Sequence, residues 1–214
     1  MKIAIVGGTG DMGFGLGLRL GKAGHEVLIG SRSADKANES ATLARTQVPQ
    51  GTFSGGENTA VCQAADLVVI SVPTAGHRAT IESLKEVLRQ KPVLDITVPM
   101  AFGPLRYAPP IEGSNAKETE AILGEGCRVA AGFHTVSATL LADVTKPVEV
   151  NALVCGNNAD LRAQWIALGG EIGITAYDAG TLNMACALES QTPMLIGMNK
   201  RYGSKHIGFQ MVGF

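Results

Sequence analysis

Gly8, Gly10 and Gly13 stand in the spacing G-x-G-x-x-G, directly after the apolar run IAIV and directly before a stretch with helical periodicity. In that setting each glycine has a physical task. The turn needs backbone without a Cβ, a pyrophosphate must approach closely, and the helix must pack tightly on its strand. The N-terminus of the helix then presents free N–H groups to the anion. Residues Gly8, Thr9, Gly10, Asp11, Met12 and Gly13 are therefore the candidate pyrophosphate contacts, against the alternative of a tight turn that binds nothing. The end of the next strand bears on which dinucleotide is held. Selection of NAD usually places Asp or Glu there to accept from the adenosine ribose, whereas this chain has Ser31 and Arg32, with Lys36 one helical turn further on. A carboxylate would repel a 2′-phosphate; a guanidinium binds one through two parallel N–H groups, with a serine hydroxyl and a lysine adding to it. The other reading, a solvated basic helix start, gains nothing from the helix dipole. The cofactor expected is NADP.

These residues need a scaffold that brings loops to one edge. Short apolar runs alternate with helical patterns, which predicts an α/β fold: a Rossmann-type, doubly wound, mainly parallel sheet. Strands are expected at 3–6, 26–29, 66–72, 92–97 and 128–133, with helices from about Asp11 to Ala23, from an N-cap at Ser33 to about Thr46, and from about His77 to Arg89. Asn115 with Glu118 reads as a capping box for a helix ending at Gly124. Beyond that the pattern changes to strands at 150–156 and 171–177 around a helix from about Ala159 to Leu168. Segment 181–200 is apolar nearly all round and contains Pro193, so it predicts one buried, kinked helix, covered by the core or by a second subunit in a homodimer. The expected division is 1–146 for the NADP-binding domain and 147–214 for a small C-terminal α+β part that contributes to the acceptor site and the dimer.

Composition narrows the classes. Charged residues make up 17% of the 214, the formal net charge is −1 and no basic run occurs, so nucleic acid is not an expected partner. No stretch is apolar for the roughly 18–20 residues of a membrane span, and no leader pattern opens the chain, which predicts a soluble, cytoplasmic protein. Four scattered cysteines and four dispersed histidines give no zinc spacing, and no nucleophile elbow occurs, so no metal site and no hydrolase are expected.

The chain resembles the NADPH-dependent reductases of the deazaflavin coenzyme F-420, the F-420:NADP oxidoreductase family. The resemblance rests on GGTGDMGFGLGLRL, HEVLIGSR, DLVVISVP, TVP, EGSNAKETEAIL, GFHTVSA, ALVCG and DAGTLNMACALESQTPMLIGMNKRYG, in that order over nearly the whole length. The FHT segment and the LESQTP ending are the most diagnostic. The cytosolic domains of STEAP-type metalloreductases share the fold. What the resemblance implies is hydride transfer between nicotinamide C4 and deazaflavin C5, with the protein supplying orientation and a dry site and no obligatory general acid. It also implies that His134 lies beside the two rings and orients the acceptor, against a plain structural histidine. Val136 and Ser137 would wall the nicotinamide pocket, and Val72, Pro73, Thr74 and Val98 would contact the cofactor from the ends of their strands. Lys200, Arg201 and Lys205 could meet the anionic tail of F-420, although basic residues at a helix C-terminus are expected for dipole reasons too.

His25 is expected in a solvent-facing turn, and neither His77 nor His206 has a partner visible in the sequence. Arg106, Tyr107 and the loop around 103–113 match nothing in the family pattern. The competing functions are NADPH-dependent reduction of another acceptor, such as a flavin, imine or carbonyl compound, and a non-enzymatic NADP sensor. A sensor has no use for the second apolar pocket that HTVSA and LESQTPML predict.

Overall fold

The computed structural model describes residues 1–213. Its elements are β1 (Lys2–Val6), α1 (Asp11–Lys22), β2 (Glu26–Ser31), α2 (Ala34–Gln47), β3 (Thr52–Glu57), α3 (Asn58–Ala64), β4 (Leu67–Ile70), α4 (His77–Leu88) and β5 (Pro92–Asp95). A two-stranded hairpin, β6 (Met100–Ala101) and β7 (Arg106–Tyr107), leads to α5 (Asn115–Leu123), β8 (Arg128–Gly132) and α6 (Ala138–Ala142). The chain ends with β9 (Ala152–Gly156), α7 (Ala159–Glu171), β10 (Ala176–Asp178), α8 (Ala185–Glu189) and α9 (Gln191–Tyr202).

Eight strands form one sheet in the order β10-β9-β8-β5-β4-β1-β2-β3. All pairings are parallel except β8 with β9. The six strands from β3 to β8 are thus doubly wound, and the order reverses between β1 and β4, the switch point at which such sheets bind ligands. Residues alternate between two cores, as strands covered on both faces require. Ile3, Ile5, Leu67 and Val69 pack on one side with Leu16, Leu20 and Trp165, and Ala4, Val6, Val68 and Ile70 pack on the other with Ile81, Leu84 and Leu188.

Several expectations are corrected. The edge pair β3 and α3 has no apolar run to announce it; only Phe53 of the strand and Val61 and Cys62 of the helix are buried. The strand expected over 171–177 is shorter and later, because α7 continues to Glu171 and the chain turns through Gly173, at φ +78, before β10. The single kinked helix over 181–200 is two helices. They part at Ser190, upstream of Pro193, which sits in the first turn of α9 where a missing N–H costs nothing. Nor is that segment buried throughout: Met184, Met194 and Ile196 are exposed. The cap of α5 is Ser114, whose hydroxyl accepts from the Lys117 N–H at 3.0 Å, and Glu118 turns inward instead of closing a capping box.

Candidate functional site

The glycine turn runs from the carboxyl end of β1 into α1. Gly7, not one of the three spaced glycines, takes the left-handed turn conformation at φ +76; a Cβ there would lie 2.7 Å from the Ser71 carbonyl oxygen. Gly13 is packed on the Ser71 side chain, and a Cβ at Gly10 would meet only the Gly7 carbonyl oxygen, at 3.5 Å, so this glycine leaves room on its outer side. No side chain caps α1, whereas Ser33, Ser114 and Asn158 cap α2, α5 and α7. The first-turn N–H groups of Asp11, Met12 and Gly13 are therefore left for an external acceptor. Thr9 and Asp11 are exposed beside them and Met12 is half-buried.

The Gly8 N–H donates to the Gly30 carbonyl at 3.0 Å, which sets the glycine turn against the end of β2. Ser31 there is largely buried, and its hydroxyl oxygen accepts from the Ser33 N–H at 3.3 Å, leaving its own proton free. Arg32 and Lys36 are exposed, and among the described residues neither side chain has a hydrogen bond or ion pair. Two unpaired cations and a free hydroxyl beside a nest of N–H groups have the chemistry to receive anionic groups such as phosphates.

Across the switch point, Val72 lies against the glycine turn and Pro73 is exposed. The Thr74 hydroxyl donates to the Val98 carbonyl at 2.7 Å, which joins the loops after β4 and β5. The segment after β8 turns sharply. Phe133 is buried in the left-handed region at φ 63, a strained conformation for a bulky residue. The Val136 N–H then donates to the Phe133 carbonyl at 3.1 Å, and Thr192 of α9 donates its hydroxyl to the His134 carbonyl at 2.8 Å. Val136 is buried; the Ser137 hydroxyl shares a hydrogen bond with Thr139 and donates to the Lys205 carbonyl at 3.1 Å.

His134 is 6% exposed, and its two ring nitrogens are buried without a hydrogen bond of good geometry among the described residues. Burial pulls its pKa down to about 4 against the pull of the Asp95 charge, so the ring is neutral at pH 7. Beside this segment lies a cavity of about 350 Å³ between Thr135, Asn151, Leu153, Gln191 and Phe209. Because β9 runs antiparallel to β8, Asn151 and Leu153 come to the same sheet edge as the carboxyl ends of the parallel strands. The tail crosses here: the Asn151 N–H donates to the Phe209 carbonyl at 2.8 Å, and the Asn151 carboxamide oxygen accepts from the Met211 N–H at 2.6 Å. Lys200, Arg201 and Lys205 are exposed near the end of α9 and in the tail.

One buried cluster had no functional signal in the sequence. Asp95, at the end of β5, is fully buried; His77 meets it from α4, 18 residues earlier in the chain, and Glu118 of α5 bonds the other nitrogen of the imidazole. His25, expected in solvent, is buried at 7% exposure and bonds Glu171 at 2.8 Å, because α7 is long enough to bring that carboxylate over the turn. His206 is exposed and contacts the Thr139 hydroxyl at 3.2 Å. Tyr107, in the unmatched loop, has its single hydroxyl proton between two acceptors, the Gly113 carbonyl at 3.0 Å and Glu189 at 3.1 Å. Among the described residues no group of His, Cys, Asp and Glu could hold a metal ion, and no helix is long and apolar enough to cross a membrane.

Residues 2–99 match the family described as "NADP oxidoreductase coenzyme F420-dependent". The chain is 39% identical to the F420-dependent NADP reductase of Methanocaldococcus jannaschii, over 99% of this chain and 98% of that protein. It is 37% identical to the enzyme of the same name from Methanothermobacter thermautotrophicus, over 99% of this chain and 94% of that one. A crystal structure from Arthrobacter sp. FB24, described as a candidate F420-dependent NADP reductase, superposes with a TM-score of 0.85 at 25% identity, covering 100% of both chains.

Proposed function

The chain belongs to the F-420-dependent NADP oxidoreductase family, and from that premise we infer how its crevice serves the reaction. The protein is an NADP-dependent oxidoreductase that transfers hydride between NADP(H) and coenzyme F-420. When bound, the two cofactors supply the chemistry themselves, nicotinamide C4 giving or taking the hydride that deazaflavin C5 takes or gives.

The residues of this chain bind, orient and keep the site dry. Gly8 to Gly13 hold the pyrophosphate on the bare N-terminus of α1, and Ser31, Arg32 and Lys36 hold the 2′-phosphate of NADP. The unpaired Arg32 beside that helix end is the observation that carries the reading. Val72, Pro73, Thr74 and Val98 line the nicotinamide end, with Val136 and Ser137 opposite. His134 stays neutral and orients the acceptor from within the wall of the site, where both of its ring nitrogens are buried. The cavity of Thr135, Asn151, Leu153 and Gln191 receives the acceptor, and Lys200, Arg201 and Lys205 face its anionic tail.

In this reading residues 1–146 hold the dinucleotide and residues 147–214, which add β9 and β10 to the same sheet, complete the acceptor site. The second part also forms a homodimer contact: Met194, Ile196 and Tyr202 are exposed on α9, and Met184 is exposed just before α8. The protein works in the cytoplasm. The test is turnover of purified protein with NADPH and F-420, followed at the deazaflavin absorbance. Reduction of a flavin or an imine in place of F-420 would contradict this assignment.

A further inference from the structure

The loops at the nicotinamide end are held from behind by a buried polar group that the proposed contacts do not include. Asp95 is 0% exposed and its two carboxylate oxygens accept four hydrogen bonds. The Thr97 N–H and hydroxyl reach one oxygen at 3.0 and 2.5 Å; His77 Nε2 and the Thr119 hydroxyl reach the other at 2.8 and 2.7 Å. On the far side of the imidazole, His77 Nδ1 bonds Glu118 at 2.6 Å, and Glu118 in turn meets Arg78 at 2.7 Å. His77 thus stands between two carboxylates, both ring nitrogens bonded, and it is 1% exposed. With His77 protonated, His77 and Arg78 set two positive charges against Asp95 and Glu118, and Arg78, half exposed, also pairs with Glu112 at 2.9 Å. These pairings offset the cost of burying the carboxylates.

The direction in which this group pulls matters. His77 is the first residue of α4, directly after the 72–76 loop that carries Val72, Pro73 and Thr74. Asp95 ends β5, and through Thr97 it shapes the turn that carries Val98; Asn115 of α5 donates to the Thr97 hydroxyl from above at 2.8 Å. Thr74 and Val98 are already joined by a hydrogen bond. One imidazole therefore ties two loops to each other and to α5.

We propose that His77 is a positioning residue for hydride transfer: by bridging Asp95 and Glu118 it fixes the 72–76 loop and the 96–98 turn against the nicotinamide, a role that rests on the nicotinamide placement given above. The glycine turn and Arg32 lie on β1 and β2 and are not part of this network, so the phosphate end of the site does not depend on it. The groups facing His77 are Asp95 from β5 and Glu118 and Thr119 from α5; Arg78 acts on it through Glu118, and His134 lies beyond Asp95.

The variant His77→Gln separates this role from a general loss of structure. Expected is a fall in kcat for F-420 reduction of about tenfold or more, with binding of 2′-phospho-ADP-ribose, which has the phosphates but no nicotinamide, changed less than about twofold. The charge-balanced double variant His77→Gln/Glu118→Gln recovers most of kcat at all pH values. If His77→Gln does not fold, Thr119→Val, which removes one bond to Asp95, gives the same split at smaller size. Anisotropy of the bound NADPH fluorescence needs no acceptor; it falls in the variant as the ring loosens, so this readout distinguishes failure of the proposal from failure of the F-420 assignment. Unchanged kcat and anisotropy, equal losses of kcat and of 2′-phospho-ADP-ribose binding, or no recovery in the double variant would each overturn it.

Discussion

At the ends of β1 and β2 the crevice offers bare backbone N–H groups and an unpaired guanidinium to solvent, whereas at the ends of β5 and β8 its polar groups are buried and, His134 apart, tied to one another. The difference fits the role proposed for each end. A phosphate arrives with its own charge and hydration, and an exposed cation can meet it without a large desolvation cost. A ring that exchanges hydride needs fixed dipoles and little water, which only a pre-arranged, buried network supplies.

The two buried histidines on either side of Asp95 make the same point at smaller scale. Burial would push both down. For His77 the Asp95 charge and hydrogen bonds to Asp95 and Glu118 outweigh it and lift the group to about 9, while for His134, with no carboxylate bonded to its ring, the Asp95 charge and backbone do not offset burial and it falls to about 4. Burial together with the Asp95 charge likewise lifts Glu189 to about 8, although the N–H groups of Asn115 and Ala116 and the Tyr107 hydroxyl all converge on it.

Breaking the buried end should have the largest effect. Asp95→Ala removes the acceptor of four hydrogen bonds and leaves His77 without one of its two carboxylates, and a loss of about 3–5 kcal/mol of stability is expected by chemical denaturation. Breaking the open end should leave the fold alone and weaken ligand binding: Arg32→Ala is expected to lower NADPH affinity by about 1.5–3 kcal/mol with NADH nearly unaffected, measured by titration calorimetry. Equal affinity of the unaltered protein for the two cofactors would remove the phosphate role from Arg32. Smaller again, His134→Ala is expected to slow F-420 reduction by less than about a hundredfold, with NADPH binding nearly unchanged, since an orienting group costs less than an essential proton donor.

The two histidines also predict opposite limbs of stability against pH. A folded pKa raised to about 9 gives a contribution from His77 that is complete below its unfolded value of about 6.5 and lost as the pH rises through 9. A folded pKa lowered to about 4 gives one from His134 that is complete above about 6.5 and lost as the pH falls toward 4. Urea unfolding across that range should show His77→Gln flattening the alkaline limb and His134→Ala flattening the acid limb.

The open end was far more legible in the sequence than the buried one, because it is built from near neighbours. Gly8 to Gly13, and Ser31 with Arg32, lie within one β-α-β unit whose spacing is fixed by the backbone, although the turn conformation itself fell to Gly7. The parallel strands were readable as apolar runs since both of their faces are covered. The buried end depends on pairs such as His77 with Glu118, 41 residues apart, whose meeting is decided by how α4 and α5 pack and by no local pattern. Ser114 and Asn115 can both cap a helix, and the choice turned on Glu118 having a buried partner. The edge elements β3 and α3 bury too few side chains to leave a period, and the break at Ser190 carries no glycine or proline while Pro193 beside it breaks nothing.

The most direct measurement follows the hydride itself. With NADPH deuterated at the transferred C4 position, direct passage across a dry crevice with no protein proton donor predicts that the label is retained at C5 of the reduced deazaflavin, read by mass spectrometry after a single turnover. Label found in water, or an F-420 pool left oxidised while the NADPH is consumed, would contradict it.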